Sequence, residues 1–127
     1  MSSILLVADA DWVRNDTEAA LSDPAVTLTV EADPRAVGRL VRDEAFDWAI
    51  VDLQVGSMGG MAVVRSLRDA IVSGETADIG IVLLLDRDAD RFLAGRAGAD
   101  ASLVKPFTAQ EMRACLATAA VGSGSTA

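Results

Sequence analysis

The chain has 127 residues, a length that favours a single domain, because two domains would each be too small to bury a stable core. Hydrophobic residues make up 51% of it and charged residues 24%, which is the composition of a globular protein and not of a disordered or fibrous one. The net charge of −8 at pH 7 disfavours direct binding to the phosphate backbone of a nucleic acid.

The first half of the chain alternates short apolar runs with amphipathic segments. Residues 4–7 are apolar and precede the acidic Asp9, which predicts a buried strand. A helix is predicted next, and the turn at 22–24 ends it. Residues 26–30 are rich in β-branched side chains and predict a second, more exposed strand. Asp33 followed by proline predicts the start of another helix, because Asp is a good N-cap and proline fits the first helical position.

The second half repeats this alternation. The apolar run 48–51 ends at Asp52, and a glycine-bearing loop and a helix with an apolar face follow it. Residues 81–85 and 103–104 predict a fourth and a fifth strand.

The end of the chain combines a helix start with a polar tail. Thr108 and Glu111 have the spacing of a capping box and predict the last helix, which turns Cys115 towards the core. We expect residues 1–120 to form the domain. Residues 121–127 have the Gly/Ser-rich composition of a linker, so we expect a flexible tail there.

Strands that are apolar along their length and alternate with helices predict an α/β fold, with a parallel sheet covered on both faces. Such doubly wound sheets bind ligands beyond the carboxyl ends of their strands. Asp9, Asp52 and Lys105 each follow or end a predicted strand, so we expect them to meet at this edge. Lys105 is also the only lysine among the 11 basic residues, and a planar guanidinium does not replace a compact ammonium.

Two carboxylates and an ammonium at one sheet edge suit phosphoryl transfer to an aspartate. Mg²⁺ binds through one or two carboxylates and several waters, and a lysine can pair with the phosphoryl group. The alternative is that the acidic residues only cap strand ends and that Lys105 is a solvated surface charge. The chain has no histidine and a single cysteine, which excludes histidine bases and leaves no zinc site.

Five segments are informative in their order and spacing: ILLVAD at 4–9, FDWAIVDL at 46–53, Gly60, AGAD at 97–100 and LVKPF at 103–107. Together they resemble the receiver domains of two-component response regulators, and the match runs from about residue 4 to residue 119. The resemblance implies a flavodoxin-like (βα)5 fold, with a five-stranded parallel sheet in the order 2-1-3-4-5.

Position by position, the resemblance implies that Asp52 accepts a phosphoryl group and that Lys105 contacts that group. It implies that Asp9 and Asp52 hold Mg²⁺ together with the backbone carbonyl of Gln54. The peptide bond before Pro106 is expected to be cis. The partner that the resemblance implies is a histidine kinase or a phosphotransfer protein.

Three departures from the family pattern concern the metal and the switch. Ala8 stands where the first residue of the family's acidic pair is usual, so one carboxylate is missing. The fourth strand ends in Leu83, Leu84 and Leu85, where the family has a Ser or Thr whose hydroxyl bonds the phosphoryl group. Ser102 occupies the place of the switch aromatic. We therefore expect weakened Mg²⁺ binding and a weak coupling of phosphorylation to conformation.

Three functions remain open. The first is a single-domain receiver in a phosphorelay that accepts a phosphoryl group on Asp52 but has a weakened switch. The second is a phosphorylation-independent module that docks a protein through its last two helices, around residues 87–97 and 110–119. The third, a hydrolase with Asp52 as nucleophile, is disfavoured because no motif places a second acidic general base. We expect no enzymatic activity beyond self-phosphorylation from a phosphodonor.

The sequence also bears on location. No apolar run approaches the ~18–20 residues that a membrane-spanning helix needs, and residues 1–3 lack the basic region of a signal peptide. The lone Cys115 cannot form an internal disulfide. We therefore expect a cytoplasmic protein with no membrane partner.

Overall fold

The computed structural model describes residues 2–119, which form five strands and five α-helices. The strands are β1 (Ser2–Val7), β2 (Val26–Glu31), β3 (Trp48–Asp52), β4 (Gly80–Leu85) and β5 (Ala101–Val104). The helices are α1 (Asp11–Ala20), α2 (Val37–Asp43), α3 (Gly60–Val72), α4 (Arg91–Ala97) and α5 (Ala109–Ala119). No helix within residues 2–119 is long and apolar enough to cross a membrane. The tail predicted at 121–127 lies outside the described residues.

The five strands form one parallel sheet in the order β2-β1-β3-β4-β5. This order confirms the predicted flavodoxin-like α/β fold. The direction in which strands are added reverses between β1 and β3, and doubly wound sheets bind ligands at such a switch point.

The sheet is buried on both faces, because successive residues of its central strands belong to different cores. Leu5 and Val51 pack in the core that the sheet shares with α2, α3 and α4. Leu6 and Ile50 pack in the core shared with α1 and α5. Burial on both faces explains why these strands are continuous apolar runs in the sequence.

Two strands begin two residues earlier than their apolar runs predicted. Residues 2–3 of β1 pair with 26–27 of β2, and residues 101–102 of β5 pair with 82–83 of β4. The predicted starts at residues 4 and 103 were therefore wrong. Backbone pairing with the neighbouring strand determines where these strands begin, and the hydropathy of the side chains does not indicate that pairing.

Both helix starts predicted from capping residues are confirmed. The Thr108 hydroxyl accepts a hydrogen bond from the Glu111 N–H at 3.1 Å, and the Glu111 carboxylate accepts one from the Thr108 N–H at 2.8 Å. Asp33 accepts a hydrogen bond from the Arg35 N–H at 3.0 Å, and this bond lowers the pKa of the Asp33 carboxyl. Pro34 then opens a single 3₁₀ turn that leads into α2.

Candidate functional site

Three of the residues singled out in the sequence lie at the carboxyl end of the sheet. Asp52 is the last residue of β3, Lys105 directly follows β5, and Asp9 lies just beyond β1. All three strands are parallel, so their carboxyl ends point to the same edge. The doubly wound topology therefore places these residues where the fold binds ligands.

The centre of the site is a buried ion pair. The Nζ atom of Lys105 lies 2.5 Å from Oδ1 of Asp52, and the two side chains are only 4% and 2% exposed. Each charge compensates the other, since an unpaired charge at this depth would be strongly unfavourable. The burial of Lys105 excludes the alternative that it is a solvated surface charge.

A second carboxylate reaches the same ammonium. Asp86 directly follows β4, and its Oδ1 lies 3.2 Å from Nζ of Lys105. Its side chain is 37% exposed, so Asp86 stands at the rim of the site while Asp52 lies below it. No motif marks Asp86, and its role was not predicted from the sequence. The signal was its position directly after an apolar run, like that of the other acidic residues at this edge.

Trp12 covers the ammonium from another side. It lies in the first turn of α1, is 50% exposed, and its ring centroid is 5.5 Å from Nζ of Lys105. This distance is within the range of a cation–π interaction. Trp12 was also missed, although an aromatic residue outside the apolar spacing of its helix is a usable signal.

Asp9 connects the end of β1 to the loop after β3. Its Oδ2 accepts a hydrogen bond from the backbone N–H of Gly56 at 2.8 Å, and the residue is exposed. The carboxylate thus lies at the predicted edge of the sheet, with one oxygen engaged by the loop.

The loop after β3 folds closely against Asp52. The N–H of Gly60 donates to the carbonyl of Leu53 at 2.8 Å, and a Cβ atom at position 60 would lie 2.4 Å from the backbone oxygen of Asp52. Only glycine allows this approach. The N–H of Gln54 lies 3.5 Å from Oδ1 of Asp52, at the long limit for a hydrogen bond. On the other side of the site, the Lys105–Pro106 peptide bond is cis.

The strand residues beside Asp52 contribute no polar side chain. Val7 pairs with Val51, which puts Ala8 level with Asp52, and Ala8 is buried. Leu84 pairs with Asp52 across β3 and β4. Leu83, Leu84 and Leu85 are fully buried in the two cores, so a hydroxyl is absent whichever of them is compared with the family position.

Ser102 of β5 is engaged by the neighbouring helix. Its carbonyl oxygen and its hydroxyl accept hydrogen bonds from Arg91 of α4, at 2.8 Å and 3.1 Å. A polar contact between α4 and β5 therefore occupies the position where the family places an aromatic side chain.

A family model described as the response regulator receiver domain matches residues 4–117. The regulatory protein VirG of Rhizobium rhizogenes is 29% identical over 117 residues, which cover 90% of this chain and 46% of VirG. The response regulator MprA of Mycolicibacterium vanbaalenii is 30% identical over 111 residues, which cover 87% of this chain and 47% of MprA. The chain thus spans slightly less than half the length of these two relatives.

A solved structure shares the fold. The receiver domain of the sensor histidine kinase PA1611 from Pseudomonas aeruginosa, which has a magnesium ion in its active site cleft, matches with a TM-score of 0.76 at 23% identity. The match covers 93% of this chain and 97% of that domain. With the family model extending over nearly all of its length, the chain belongs to the response regulator receiver domain family.

Proposed function

We propose that this receiver domain takes a phosphoryl group onto Asp52 from a histidine kinase or a phosphotransfer protein in the cytoplasm. The observation that carries the proposal is the buried pair of Asp52 and Lys105, with Nζ and Oδ1 2.5 Å apart at the carboxyl edge of the sheet. The ammonium compensates the charge of the carboxylate, and it lies within reach of any group that the carboxylate receives.

The transfer needs little chemistry from the protein beyond charge and position. An oxygen of Asp52 attacks the phosphorus atom, the bond between phosphorus and the donor nitrogen breaks, and its electron pair stays on that nitrogen. Lys105 then donates hydrogen bonds to a phosphoryl oxygen and offsets part of the added negative charge. Trp12, whose ring centroid lies 5.5 Å from the ammonium, adds a cation–π contact on the side of α1.

We propose that a magnesium ion binds at this site with a small set of protein ligands. In the part of the chain that the structure describes, no group of three or more His, Cys, Asp or Glu side chains is placed to hold a metal. Mg²⁺ binds through as few as one or two carboxylates, because it keeps several waters. Asp9, Asp52 and the carbonyl of Gln54 would hold it here, and the bound ion would neutralise charge on the phosphoryl oxygens. The magnesium ion in the PA1611 receiver domain supports this assignment.

We further propose that phosphorylation changes the conformation of this domain only weakly. The leucines that end β4 are fully buried and have no hydroxyl to move towards a phosphoryl group. Ser102 is held by Arg91 of α4. A phosphoryl group shifts the conformational equilibrium only if it interacts more strongly with one conformation than with the other. Neither the leucines nor Ser102 supplies such an interaction.

A docking module that works without phosphorylation is the second candidate. The observation that favours it is a pair of adjacent exposed apolar residues on α4, Phe92 at 70% and Leu93 at 53% exposure. A protein partner would bury both of them. The partner is a protein rather than a nucleic acid, because the net charge of −8 disfavours contact with phosphates.

The intact mass of the protein after incubation with acetyl phosphate and Mg²⁺ tests the first candidate. We expect one base-labile phosphoryl group, absent from Asp52→Asn and present in the matched control Asp78→Asn, which changes an exposed aspartate in the loop before β4. A label that survives Asp52→Asn would contradict the site. No label at saturating Mg²⁺ would overturn the proposal in favour of the docking module.

A further inference from the structure

We propose that Asp86 limits how tightly this site holds a phosphoryl group, because its carboxylate competes with that group for the ammonium of Lys105. The inference rests on the proposed phosphorylation of Asp52 and adds a residue that tunes it. Asp86 is not among the residues that the resemblance to the family assigned to this edge of the sheet.

The ammonium of Lys105 is already shared. Its Nζ atom lies 2.5 Å from Asp52 and 3.2 Å from Asp86, so one positive charge faces two negative charges. The lysine side chain is only 4% exposed, and water therefore screens these interactions less than at the surface. The three groups carry a net charge of about −1 before any ligand arrives.

A phosphoryl group makes this imbalance larger. It carries a charge of about −1.5 to −2, and it must approach the same ammonium to be bound. Asp86 contacts that ammonium from the rim of the site, so the phosphoryl group enters beside a second carboxylate. The two negative groups that share this ammonium repel each other, and this repulsion makes the bound state less stable.

The other acidic residues of the same loop are turned away from the site. Asp88 pairs with Arg91, and Asp90 pairs with Arg87 at 3.1 Å. Asp88 is also 83% exposed. Of the acidic residues at 86, 88 and 90, Asp86 is the one that contacts Lys105, so the effect belongs to a specific contact rather than to the charge of the loop.

The affinity for beryllofluoride, an analogue of the phosphoryl group, tests the inference. The anion is titrated at a Mg²⁺ concentration that saturates each variant, and the fluorescence of Trp12 beside the ammonium reports binding. A Trp12→Phe variant identifies that signal, because the other tryptophan, Trp48, lies at the opposite end of β3.

We expect Asp86→Asn, which keeps the shape of the side chain and removes its charge, to bind beryllofluoride at least about threefold more tightly. Asp86→Glu restores a carboxylate and should return the affinity towards that of the natural protein. Asp88→Asn removes the same charge from the same loop without touching Lys105, and its affinity should stay within about twofold of the natural value.

Two results would overturn the inference. An unchanged affinity in Asp86→Asn, with Asp52 still labelled by acetyl phosphate, refutes the role of Asp86 and leaves the proposed function intact. An equal gain in Asp88→Asn shows a general effect of net charge and refutes it as well. Absence of binding in every variant, together with absence of the label, overturns the proposed function and this inference with it.

Discussion

Ala8 lies level with Asp52 on the neighbouring strand and is 3% exposed. A carboxylate at this position would add a buried negative charge beside Asp52. Without a cation that charge is repelled and poorly solvated, and with Mg²⁺ it becomes a ligand. The residue at position 8 therefore sets a balance between the affinity for Mg²⁺ and the stability of the metal-free domain.

Ala8→Asp should raise the affinity for Mg²⁺ about tenfold, the equivalent of one charge-assisted contact of about 1.5 kcal/mol. It should also lower the free energy of unfolding in the absence of Mg²⁺ by about 1–3 kcal/mol, because the new charge is buried. Calorimetric titration and urea unfolding with a chelator measure the two effects. The control Ala45→Asp adds the same charge at an exposed position and should produce neither. An unchanged affinity in Ala8→Asp would show that position 8 does not face the ion.

Cys115 is a residue whose environment was predicted correctly from the sequence. Its helical spacing indicated a core-facing side chain, and the structure confirms it at 8% exposure. Burial raises the pKa of the Cys115 thiol, so it stays protonated to higher pH than an exposed thiol and is a poor nucleophile.

At the scale of secondary-structure elements, one carboxylate joins α3, β4 and the start of β5. Oδ2 of Asp100 accepts hydrogen bonds from the N–H of Ile81 at 2.8 Å and from Arg68 at 3.0 Å. Arg68 also donates two hydrogen bonds to the carbonyl of Gly98, the residue with φ of 112° that ends α4. The segment 97–100, which contributed to the family resemblance, therefore has a structural role.

Asp100→Ala should lower the free energy of unfolding by about 1–3 kcal/mol, because it leaves the N–H of Ile81 without an acceptor inside the protein. Asp100→Asn keeps an acceptor oxygen and should cost clearly less. Urea unfolding followed by circular dichroism measures both, with Asp69→Ala on the exposed side of α3 as the control. An equal loss of unfolding free energy in Asp100→Ala and Asp100→Asn would show that the hydrogen bond to Ile81 contributes little.

At the scale of the whole molecule, a polar contact joins α4 and β5. Arg91 bonds both the carbonyl and the hydroxyl of Ser102. Leu85, at the end of β4, is packed in the core, and its side chain has no polar atom to contact the site. We therefore expect occupation of the site to have little effect on the face formed by the last two helices.

Beryllofluoride with Mg²⁺ should shift the amide resonances of residues near Asp52 and Asp86 and leave those of residues 112–119 nearly unchanged. A ¹H–¹⁵N correlation spectrum measures the shifts. Mg²⁺ alone separates the effect of the ion, and Asp52→Asn should show no response to the anion. Large shifts in α5 would contradict the proposal of a weak switch.

The sequence by itself determined the features that depend on local patterns. Continuous apolar runs predicted buried parallel strands, and the polar residues at their ends predicted the edge where Asp52 and Lys105 meet. The capping box of Thr108 and Glu111 needed only the spacing of two residues. These features were predictable because hydropathy, periodicity and capping act over a few consecutive residues.

The tertiary structure alone decided which side chains share the ammonium of Lys105. Asp86 and Trp12 are 19 and 93 positions away from it along the chain, and no periodic pattern links them to it. The hydrogen bond from the N–H of Gly56 to Asp9 was equally hidden, as were the first two residues of β1 and of β5. Such contacts depend on how strands and helices pack across the sheet, and packing joins residues that are far apart in sequence.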